Sequence, residues 1–542
     1  MKKRMKGLNP ALASLVMLSV GVLIGIKPHA PLSVAAVLSG AGTEENPYLI
    51  ATTEDLQEVI TNVDNAVNDY DGQYLKITSD LAIELAMTTS GRKFNGHLDG
   101  DHHILTLSTS AVEQNVSMFY EVGLTASVKN ITFAGSLSGM SGYCAPVCVA
   151  NSGTIDHIVN QTTIIATSVM IGGIAVKQIN DGAKITNCVN QGAISGNEAV
   201  GGIVGRVKGG TVSHCLNQGN VTGSGYEIAG IAGYVSKNGS EESVHIENCL
   251  NEADISGAGL VGGIIGRLES PLVCNNCSNY GDISVTTTNG GGGIIGTVSY
   301  VSPPYEIAIA TLTNCYASGT VHTNNGYAGG ILGIASYHSG GTINFINCLS
   351  ATRVVNTGAS GLVGGFTGGQ QNAGTTFNFD KCQTLGSIFY TGGGPHSIGI
   401  GASATKIGTM TESNLPKGDG SKGLQLSETT LNLLRAVREF NCVYDAPLAS
   451  KVSSGLTNLT TDEQTQLSAT TFYKDNSYGY VSNYYHAALY VDNFMQNPLG
   501  GVADFITRNF NQAQIHAVSF VLVIMIISSI TWGHLKRRRE SE

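Results

Sequence analysis

The feature that most constrains the fold is a block of glycine and small apolar residues that recurs along the middle of the chain. Each copy is followed by a second short apolar segment that carries a cysteine, as in KITNCVNQG and HIENCLNEA. Successive cysteines of this kind are 27 to 38 residues apart, a period typical of solenoids and related arrays. The blocks are GGIAVKQ at Gly172, GGIVGRV at Gly201, GIAGYV at Gly230, GGIIGRL at Gly262, GGIIGTV at Gly292, GGILGIA at Gly329 and GGFTGG at Gly364.

The segments within each unit predict β-strands. They are short, rich in Ile and Val, and separated by Asn-Gln-Gly, Ser-Gly and Gly-Gly turns, without helical periodicity. Short strands at a fixed period favour a parallel β-solenoid, in which every turn stacks on the one before. A β-propeller is the alternative, but a blade needs about 40 residues or more and four strands, and most units here are shorter. We expect the glycines to supply positive φ at corners and to allow close approach between turns.

The repeated cysteines predict a buried ladder of thiols. If one unit forms one turn, they stack about 4.8 Å apart with parallel side chains, which is unfavourable for disulfides. Cys144 with Cys148 and Cys274 with Cys277 are better placed for disulfides, and neither pair has the further ligands that a metal site needs. The predicted ladder consists of Cys188, Cys215, Cys249, Cys277, Cys315, Cys348 and Cys382.

One unit of the repeat also resembles a known family. GGIVGRVKGGTVSHCLNQGNVTG is similar to the GLUG-type repeats of bacterial cell-surface proteins, which occur in immunoglobulin A peptidases and in large adhesin-like chains. The segments GTEENPYLIATTEDLQEV and FNGHLDGDHHILTL resemble the openings of such regions. The resemblance covers roughly residues 45 to 400 and implies a right-handed parallel β-helix. The HExxH zinc motif is absent from the sequence, so the resemblance does not imply peptidase activity.

The two ends of the sequence predict secretion and a membrane anchor. Four basic residues precede an apolar run from Ala11 to Ile26, and small residues follow near Ala36, as in a secretory signal peptide. A retained N-terminal anchor is the alternative. Ala517 to Gly533 has no charged residue and precedes HLKRRRESE, which indicates a single span with a cytoplasmic basic tail. A buried soluble helix is the alternative there, and the preferred localisation is a single-pass type I protein of the cell membrane.

Amphipathic segments flank the repeat. Apolar residues at helical spacing follow Thr52-Thr53, which can cap a helix over the open end of the solenoid. A second such segment, Leu424 to Phe440, is expected to cover the other end. The first set is Leu56, Val59, Ile60, Val63 and Val67.

These features divide the chain into seven regions. They are a signal peptide at 1–36, an N-terminal cap region at 37–93, the repeat β-solenoid at 94–402, a C-terminal cap and linker at 403–455, a tyrosine-rich membrane-proximal region at 456–514, a transmembrane helix at 515–533 and a basic cytoplasmic tail at 534–542. The tyrosine-rich region is either a binding face or a set of packing residues.

Catalytic and ligand-binding patterns are sparse. Asp254 and Asp282 occupy equivalent repeat positions, so stacking could bring two carboxylates together for acid and base catalysis, or leave them as turn residues. Asp99-Gly-Asp-His-His103 is the densest group of potential metal ligands, but its pattern is typical of a turn before a strand. P-loop, Rossmann and nucleophile-elbow motifs are absent from the sequence. We therefore assign no catalytic, cofactor-binding or metal-binding residue and expect no cofactor.

The sequence leads to one preferred function and two alternatives. The net charge of −10 without a basic stripe argues against nucleic-acid binding. Secretion, a single anchor and repeats without catalytic residues favour a surface protein for adhesion or for binding a glycan or a host or matrix protein. One alternative is a polysaccharide lyase or glycoside hydrolase of the parallel β-helix type. The other is a structural stalk that displays the tyrosine-rich region.

Overall fold

The structure, a computed structural model, describes most of the chain between residues 38 and 411. The described residues are 38–86, 88–109, 115–167, 169–236, 242–299, 309–336, 341–358, 360–370, 375–380 and 382–384, with the strands at 387–390, 396–397 and 407–411. The regions predicted at 1–36, 456–514, 515–533 and 534–542, and the predicted helix Leu424 to Phe440, lie outside them. In the described part of the chain, no helix is long and apolar enough to span a bilayer.

The fold is an all-β parallel β-solenoid, and the prediction from the repeat is confirmed. Every pairing between the described strands is parallel, and each strand pairs with the equivalent strand of the next turn, as Val204–Val207 does with Ala232–Val235. In the central turns the chain passes through five short strands, which we name A to E in chain order. Equivalent strands of successive turns form stacks A to E.

Stacks A and B form two separate sheets of eight and ten strands. Stack A contains Val169–Gly172, Glu198–Gly201, Tyr226–Ala229, Gly259–Gly262, Gly290–Gly292, Tyr327–Gly329, Val363–Gly364 and His396–Ser397. Stack B contains Lys93–Phe94, Phe119–Val122, Cys148–Asn151, Ala175–Gln178, Val204–Val207, Ala232–Val235, Ile265–Leu268, Ile295–Val298, Leu332–Ala335 and Thr367–Gln370.

Stacks C, D and E belong to one connected sheet of 30 strands. Stack C contains Tyr48–Ile50, Tyr74–Ile77, His97–Asp99, Lys184–Thr186, Thr211–Ser213, Val244–Glu247, Leu272–Asn275, Ala310–Thr313, Thr342–Ile346, Thr376–Asp380 and Ile407–Thr411. Stack D contains Leu81–Leu85, Ile104–Thr109, Val189–Asn190, Leu216–Asn217, Leu250–Asn251, Ser278–Asn279, Tyr316–Ala317, Leu349–Ser350 and Gln383–Thr384. Stack E contains Thr163–Ala166, Ile194–Gly196, Val221–Gly223, Ile255–Gly257, Ile283–Val285, Thr320–Thr323, Arg353–Asn356 and Ser387–Tyr390. Two longer strands, Ser127–Met140 and Thr154–Asn160, run through more than one stack.

Parallel pairing extends beyond the range 94–402 expected for the solenoid. Tyr48–Ile50 pairs with Tyr74–Ile77, which pairs with His97–Asp99, so stack C begins inside the region assigned from sequence to a cap. At the other end Ile407–Thr411 pairs with Thr376–Asp380.

The glycines of the repeated block mainly allow close approach of backbones. A Cβ atom on Gly266 would lie 2.6 Å from the carbonyl oxygen of Gly233 and 2.7 Å from backbone of stack A at Glu227. A Cβ atom on Gly296 would likewise lie 2.7 Å from backbone atoms of Val261. Stack A therefore rests directly on the glycines of stack B.

The corners between stacks C and D use asparagine and histidine where glycine was expected to supply positive φ. One residue per turn adopts a φ between 51° and 59°, directly before each repeat cysteine in the central turns. Asparagine tolerates this left-handed conformation better than other residues with a Cβ. The residues are Asn130, His157, Asn187, His214, Asn248, Asn276, Asn314 and Asn347.

A single α-helix, α1, occupies Thr53–Asp64 among the described residues, as the spacing of apolar residues predicts. Thr52 caps it, because its hydroxyl accepts the amide of Asp55 while the Asp55 carboxylate accepts the amide of Thr52. Its apolar face is buried against strands of the first turns, but Val67, predicted on the same face, lies past the helix and is 72% exposed. The buried residues are Leu56, Val59, Ile60 and Val63.

Candidate functional site

Asp254 and Asp282 lie in equivalent turns before stack E, as the repeat predicts. Their carboxylates accept hydrogen bonds from backbone amides. The Asp254 carboxylate accepts the amide of Asp282 at 3.0 Å, and the Asp282 carboxylate accepts the amide of Thr320 at 2.6 Å. Asn220 does the same for the amide of Asp254 at 3.2 Å. The arrangement connects one turn to the next through one oxygen of each carboxylate, which is the contact expected of turn residues.

The group from Asp99 to His103 is divided among separate ion pairs. Lys129 lies 3.3 Å from Asp99, and Lys76 lies 2.9 Å from Asp101. The ring Nδ1 of His103 lies 3.0 Å from a carboxylate oxygen of Asp80. In the described ranges, no group of three or more His, Cys, Asp or Glu side chains could hold a metal ion.

Four further histidines of the repeat contact polar side chains through their rings. The contacts are Asp156 with His157 at 2.7 Å, Asn248 with His214 at 3.0 Å, Glu247 with His245 at 3.4 Å and Thr357 with His322 at 3.4 Å. His214 and His245 lie on adjacent turns, close to Asn248 and Glu247, whereas His157 and His322 lie on other turns.

The seven repeat cysteines lie one per turn, directly after the corner residues. All are at most 1% exposed and none is in a disulfide. Each thiol donates to the carbonyl oxygen two residues earlier, for example Cys188 to Thr186 at 3.0 Å and Cys215 to Ser213 at 3.3 Å. Burial raises the pKa of Cys215 well above its ordinary value, so these thiols are not reactive nucleophiles. Cys144, Cys148 and Cys274 are also buried and unbridged.

A ladder of five asparagines, four of which lie two residues after a repeat cysteine, was not predicted. Each side-chain amide donates to the carbonyl oxygen of the next at 2.7 Å, and every member is fully buried. A Cβ atom on Gly202 would lie 2.4 Å from the Oδ1 of Asn217, which explains the second glycine of the repeated block. The ladder consists of Asn160, Asn190, Asn217, Asn251 and Asn279.

A second column of residues, on stack B, differs in every turn. It is defined by the third residue of the four-residue strands, and parallel register places one member directly beside the next. We call it the variable column. It consists of Glu121, Ala150, Lys177, Arg206, Tyr234, Arg267, Thr297, Ile334 and Gly369.

An open groove of about 660 Å³ lies where the variable column changes from Arg267 to Thr297 and Ile334. On the stack A side, Gly290 aligns with Tyr327 in the next turn, and both line the groove. A Cβ atom on Gly290 would lie 2.8 Å from the Oγ1 of Thr297 and from Ile334, so the groove exists because this position lacks a side chain. The other lining residues are Leu260, Thr288, Asn289, Ser299, Asn325, Ser336, Ser360, Gly361 and Leu362.

The groove contains a buried hydroxyl without a hydrogen-bond partner. Thr297 is 2% exposed, and its Oγ1 contacts no donor or acceptor. The Nε of Arg267 is buried and unpartnered in the same way. Burying a polar group without a partner costs about 1–3 kcal/mol, which a ligand hydroxyl in the groove would offset. Other buried hydroxyls of the described residues also lack a partner, and Thr297 differs from them in lining the groove. The rest of the lining offers amides, hydroxyls and the Tyr327 ring.

Two carboxylates flank Arg267 at one end of the groove. Glu227 accepts one terminal nitrogen at 2.8 Å, and Glu269 accepts the other while also accepting the hydroxyl of Tyr234. Burial raises the pKa of Glu227, as do Glu198 and Glu269, and the contact with Arg267 opposes them. Burial lowers the pKa of Arg267, but Glu227 and Glu269 raise it by more. The guanidinium is therefore fixed and neutralised by its neighbours.

The fold and the groove define the chain as a parallel β-solenoid with a polar groove on its outer surface. No protein-family profile matches the sequence, and no curated protein is significantly similar to it. Among solved structures, the chain is similar to the 1.30 Å crystal structure of a candidate immunoglobulin A1 protease from Bacteroides ovatus. The two share 17% identity at a TM-score of 0.30, over 72% of this chain and 87% of that chain.

Proposed function

We propose that the protein is an extracellular β-solenoid that binds a glycan in the groove between Gly290 and Thr297. The observation that carries the proposal is the buried Thr297 hydroxyl without a partner, placed in an open groove among amides and hydroxyls. A sugar hydroxyl can both donate to and accept from such groups, and Tyr327 offers a ring for its apolar face. A glycan on a host or neighbouring cell would make this protein an adhesin.

The context proposed for this activity is the cell surface. We place the chain in the GLUG-type class on its repeat sequence, with a signal peptide at 1–36 and a single span at 515–533. The basic residues after that span favour a type I orientation. We propose further that α1 covers the first turn of the solenoid, because it buries four apolar side chains there.

A β-helix enzyme that cleaves polysaccharides is the second candidate. Glu227 favours it, because a partly buried carboxyl group with a raised pKa beside a groove suits a general acid. Glu269, on the opposite side of Arg267, supplies a second carboxylate. Asp254 and Asp282 do not support this candidate, because their carboxylates accept backbone amides.

Titration of the full-length protein with a panel of polysaccharides tests the proposal. Tyr327→Ala removes the ring that lines the groove, and we expect it to weaken binding by about tenfold. Tyr226→Ala is the matched control, because Tyr226 also begins a stack A strand but lies outside the groove lining. Equal affinities of both variants and the wild type would place the ligand elsewhere.

Mass spectrometry of the same mixtures separates binding from cleavage. Binding without released oligosaccharides supports the first candidate. Product release that is lost in Glu227→Gln supports the enzyme. A panel in which no polysaccharide binds would reject the glycan proposal.

A further inference from the structure

We propose that the turns of stack B beside the groove form an anion subsite, so that the ligand is an acidic polysaccharide. Lys177, Arg206 and Lys208 would bind its carboxylate or sulfate groups, while the groove takes a sugar further along the same chain. This inference rests on the proposed function and names the chemistry of its ligand.

The cations lie in register along one face. Lys177 pairs directly with Arg206 in the next turn, and Arg206 pairs with Tyr234. Equivalent residues of adjacent turns are about 4.8 Å apart, which is comparable with the length of one sugar unit. Arg267, at the edge of the groove, comes next in the same column. A chain of sugars along the solenoid axis can therefore contact the cations and the groove in sequence.

Like charges in this position are unfavourable for the protein alone. Side chains directly opposite in neighbouring strands repel each other when their charges match. Near the N-terminal end of the same stack, Lys93 pairs with Glu121 at 2.9 Å, so the solenoid can place opposite charges there. No carboxylate forms an ion pair with Lys177, Arg206 or Lys208 within the described ranges.

The effect of this repulsion reaches Lys208, which follows the strand that carries Arg206. Burial lowers the pKa of Lys208 first, and the charges of Arg206 and Lys177 lower it further. Three partly buried cations without counter-charges are costly to fold, in a chain whose net charge is −10. An anionic ligand would remove this cost.

Aromatic rings hold two of the cations in place. The Nζ of Lys177 lies 3.7 Å above the ring of Tyr143, and the guanidinium of Arg206 lies 4.7 Å from the ring of Tyr234. The Nε of Arg206 also donates to Ser236 at 2.7 Å. The cations are thus positioned before any ligand arrives, which reduces the entropy lost on binding. Cations beside aromatic rings suit a ligand that alternates acidic groups with apolar sugar faces.

The Glu227–Arg267–Glu269 contacts explain why the acidic groups of the ligand would bind two turns away from the groove. Two carboxylates share one guanidinium there, so the edge of the groove repels an anion. The neutral ring of one sugar fits the groove, and acidic sugars further along the same chain fit Lys177, Arg206 and Lys208.

The test compares two full-length double variants. Arg206→Gln with Lys208→Gln removes two cations of the subsite. Lys76→Gln with Lys129→Gln removes the same charge from cations that pair with Asp101 and Asp99 outside stack B. The ligands are polygalacturonate, chondroitin sulfate, a neutral galactan and double-stranded DNA, measured by calorimetry at two salt concentrations.

We expect the wild type to bind one of the two acidic glycans more tightly than the galactan. The subsite variant should weaken that binding by about tenfold or more and reduce its salt dependence, whereas the control variant should not. The galactan affinity should be the same in all three proteins. Preference for polygalacturonate identifies the acidic group as carboxylate, whereas preference for chondroitin sulfate, which carries both groups, shows that sulfate contributes.

Three results would overturn the inference. If the galactan binds and neither acidic glycan binds better, the subsite is wrong while the proposed function stands. Equal weakening by both double variants would assign the effect to net charge. DNA binding as tight as that of the acidic glycans would reject a polysaccharide site. If no glycan binds, the proposed function itself fails.

Discussion

The buried asparagine ladder and the variable column of stack B have the same geometry but opposite effects. Both place one side chain per turn directly beside its counterpart in the next turn. In the ladder, five successive turns keep the same residue, and each amide satisfies the next at 2.7 Å. In the variable column, Lys177, Arg206, Tyr234 and Arg267 succeed one another, and two of the neighbours repel. The uniform column stabilises the solenoid, whereas the column that changes contains the groups to which we assign ligand binding.

Replacing one amide of the ladder should give the largest loss of stability. Asn217→Ala leaves the side chains of Asn190 and Asn251 buried without their partner. We expect the free energy of unfolding to fall by about 3–5 kcal/mol, measured by urea denaturation.

The adjacent glutamine is the matched control for this variant. Gln218 also contacts the equivalent residues of both neighbouring turns, Gln191 at 3.1 Å and Glu252 at 2.9 Å, but is partly exposed. Water can replace its partners, so Gln218→Ala should cost less than about 1 kcal/mol. Similar losses of unfolding free energy in the two variants would mean that burial of the asparagine ladder adds nothing to stability.

A methyl group between stacks A and B should give the next largest effect. Gly266→Ala puts a Cβ atom 2.6 Å from the carbonyl oxygen of Gly233, and backbone cannot move aside cheaply. We expect a loss of about 2–3 kcal/mol in the same assay. Gly182→Ala is the control, since its nearest atom is 3.9 Å away, and its stability should change by less than about 1 kcal/mol.

Acid should lower the free energy of unfolding through Asp156, by less than the substitutions above. Burial raises the pKa of this carboxyl group, but hydrogen bonds from His157, Thr186 and Asn187 lower it by more, so its folded pKa lies below the unfolded value. The stabilisation is therefore complete above the unfolded pKa and disappears as the pH falls through the folded pKa.

Asp156→Asn removes this pH dependence. We expect the variant to be less stable than the wild type by about 1 kcal/mol near neutral pH, with the difference shrinking in strong acid. Thermal unfolding followed across that pH range measures it. A constant difference at every pH would show that the charge of Asp156 is not responsible.

The burial of the cysteine ladder should determine how fast its thiols react, and it should have no effect on glycan binding. In a Cys442→Ser background, the ten described cysteines are all buried, so a thiol reagent should label none of them in the folded protein and all ten after denaturation. Rapid labelling of the native protein would place thiols at the surface.

Much of this fold follows from the period of the sequence. The positions of Cys188 to Cys382 and the stacking of Asp254 on Asp282 follow from spacing alone, because a solenoid repeats its environment in every turn. The start of α1 near Thr52 follows from a different signal, a capping threonine before apolar residues at helical spacing. Spacing does not reveal which polar side chains accept hydrogen bonds from backbone amides and which are buried without a hydrogen-bond partner. For that reason the chemistry of Asp254 and Asp282 could only be read from their contacts.

The groove has two signals in the sequence, both at positions where the repeat deviates. Gly290 extends the glycine block of its unit to four residues, where the next unit has Tyr327 at the aligned position. The blocks GGIVGRV, GGIIGRL and GGIIGTV exchange only aliphatic residues at their fourth and seventh positions, whereas the sixth position, which belongs to the variable column, changes from arginine to threonine in the third block. Periodicity identifies the positions at which the units are alike, whereas the proposed binding site consists of positions at which they differ.

The most direct measurement is the stability and glycan affinity of Thr297→Val, with Thr323→Val as its control. Both threonines are buried and have hydroxyls without partners, but only Thr297 lines the groove. Removing either hydroxyl should stabilise the protein by up to about 1 kcal/mol, since a buried unsatisfied group is lost. Only Thr297→Val should weaken glycan binding, by about tenfold. Unchanged affinity in Thr297→Val, or equal weakening in Thr323→Val, would contradict the assignment of this groove as the binding site.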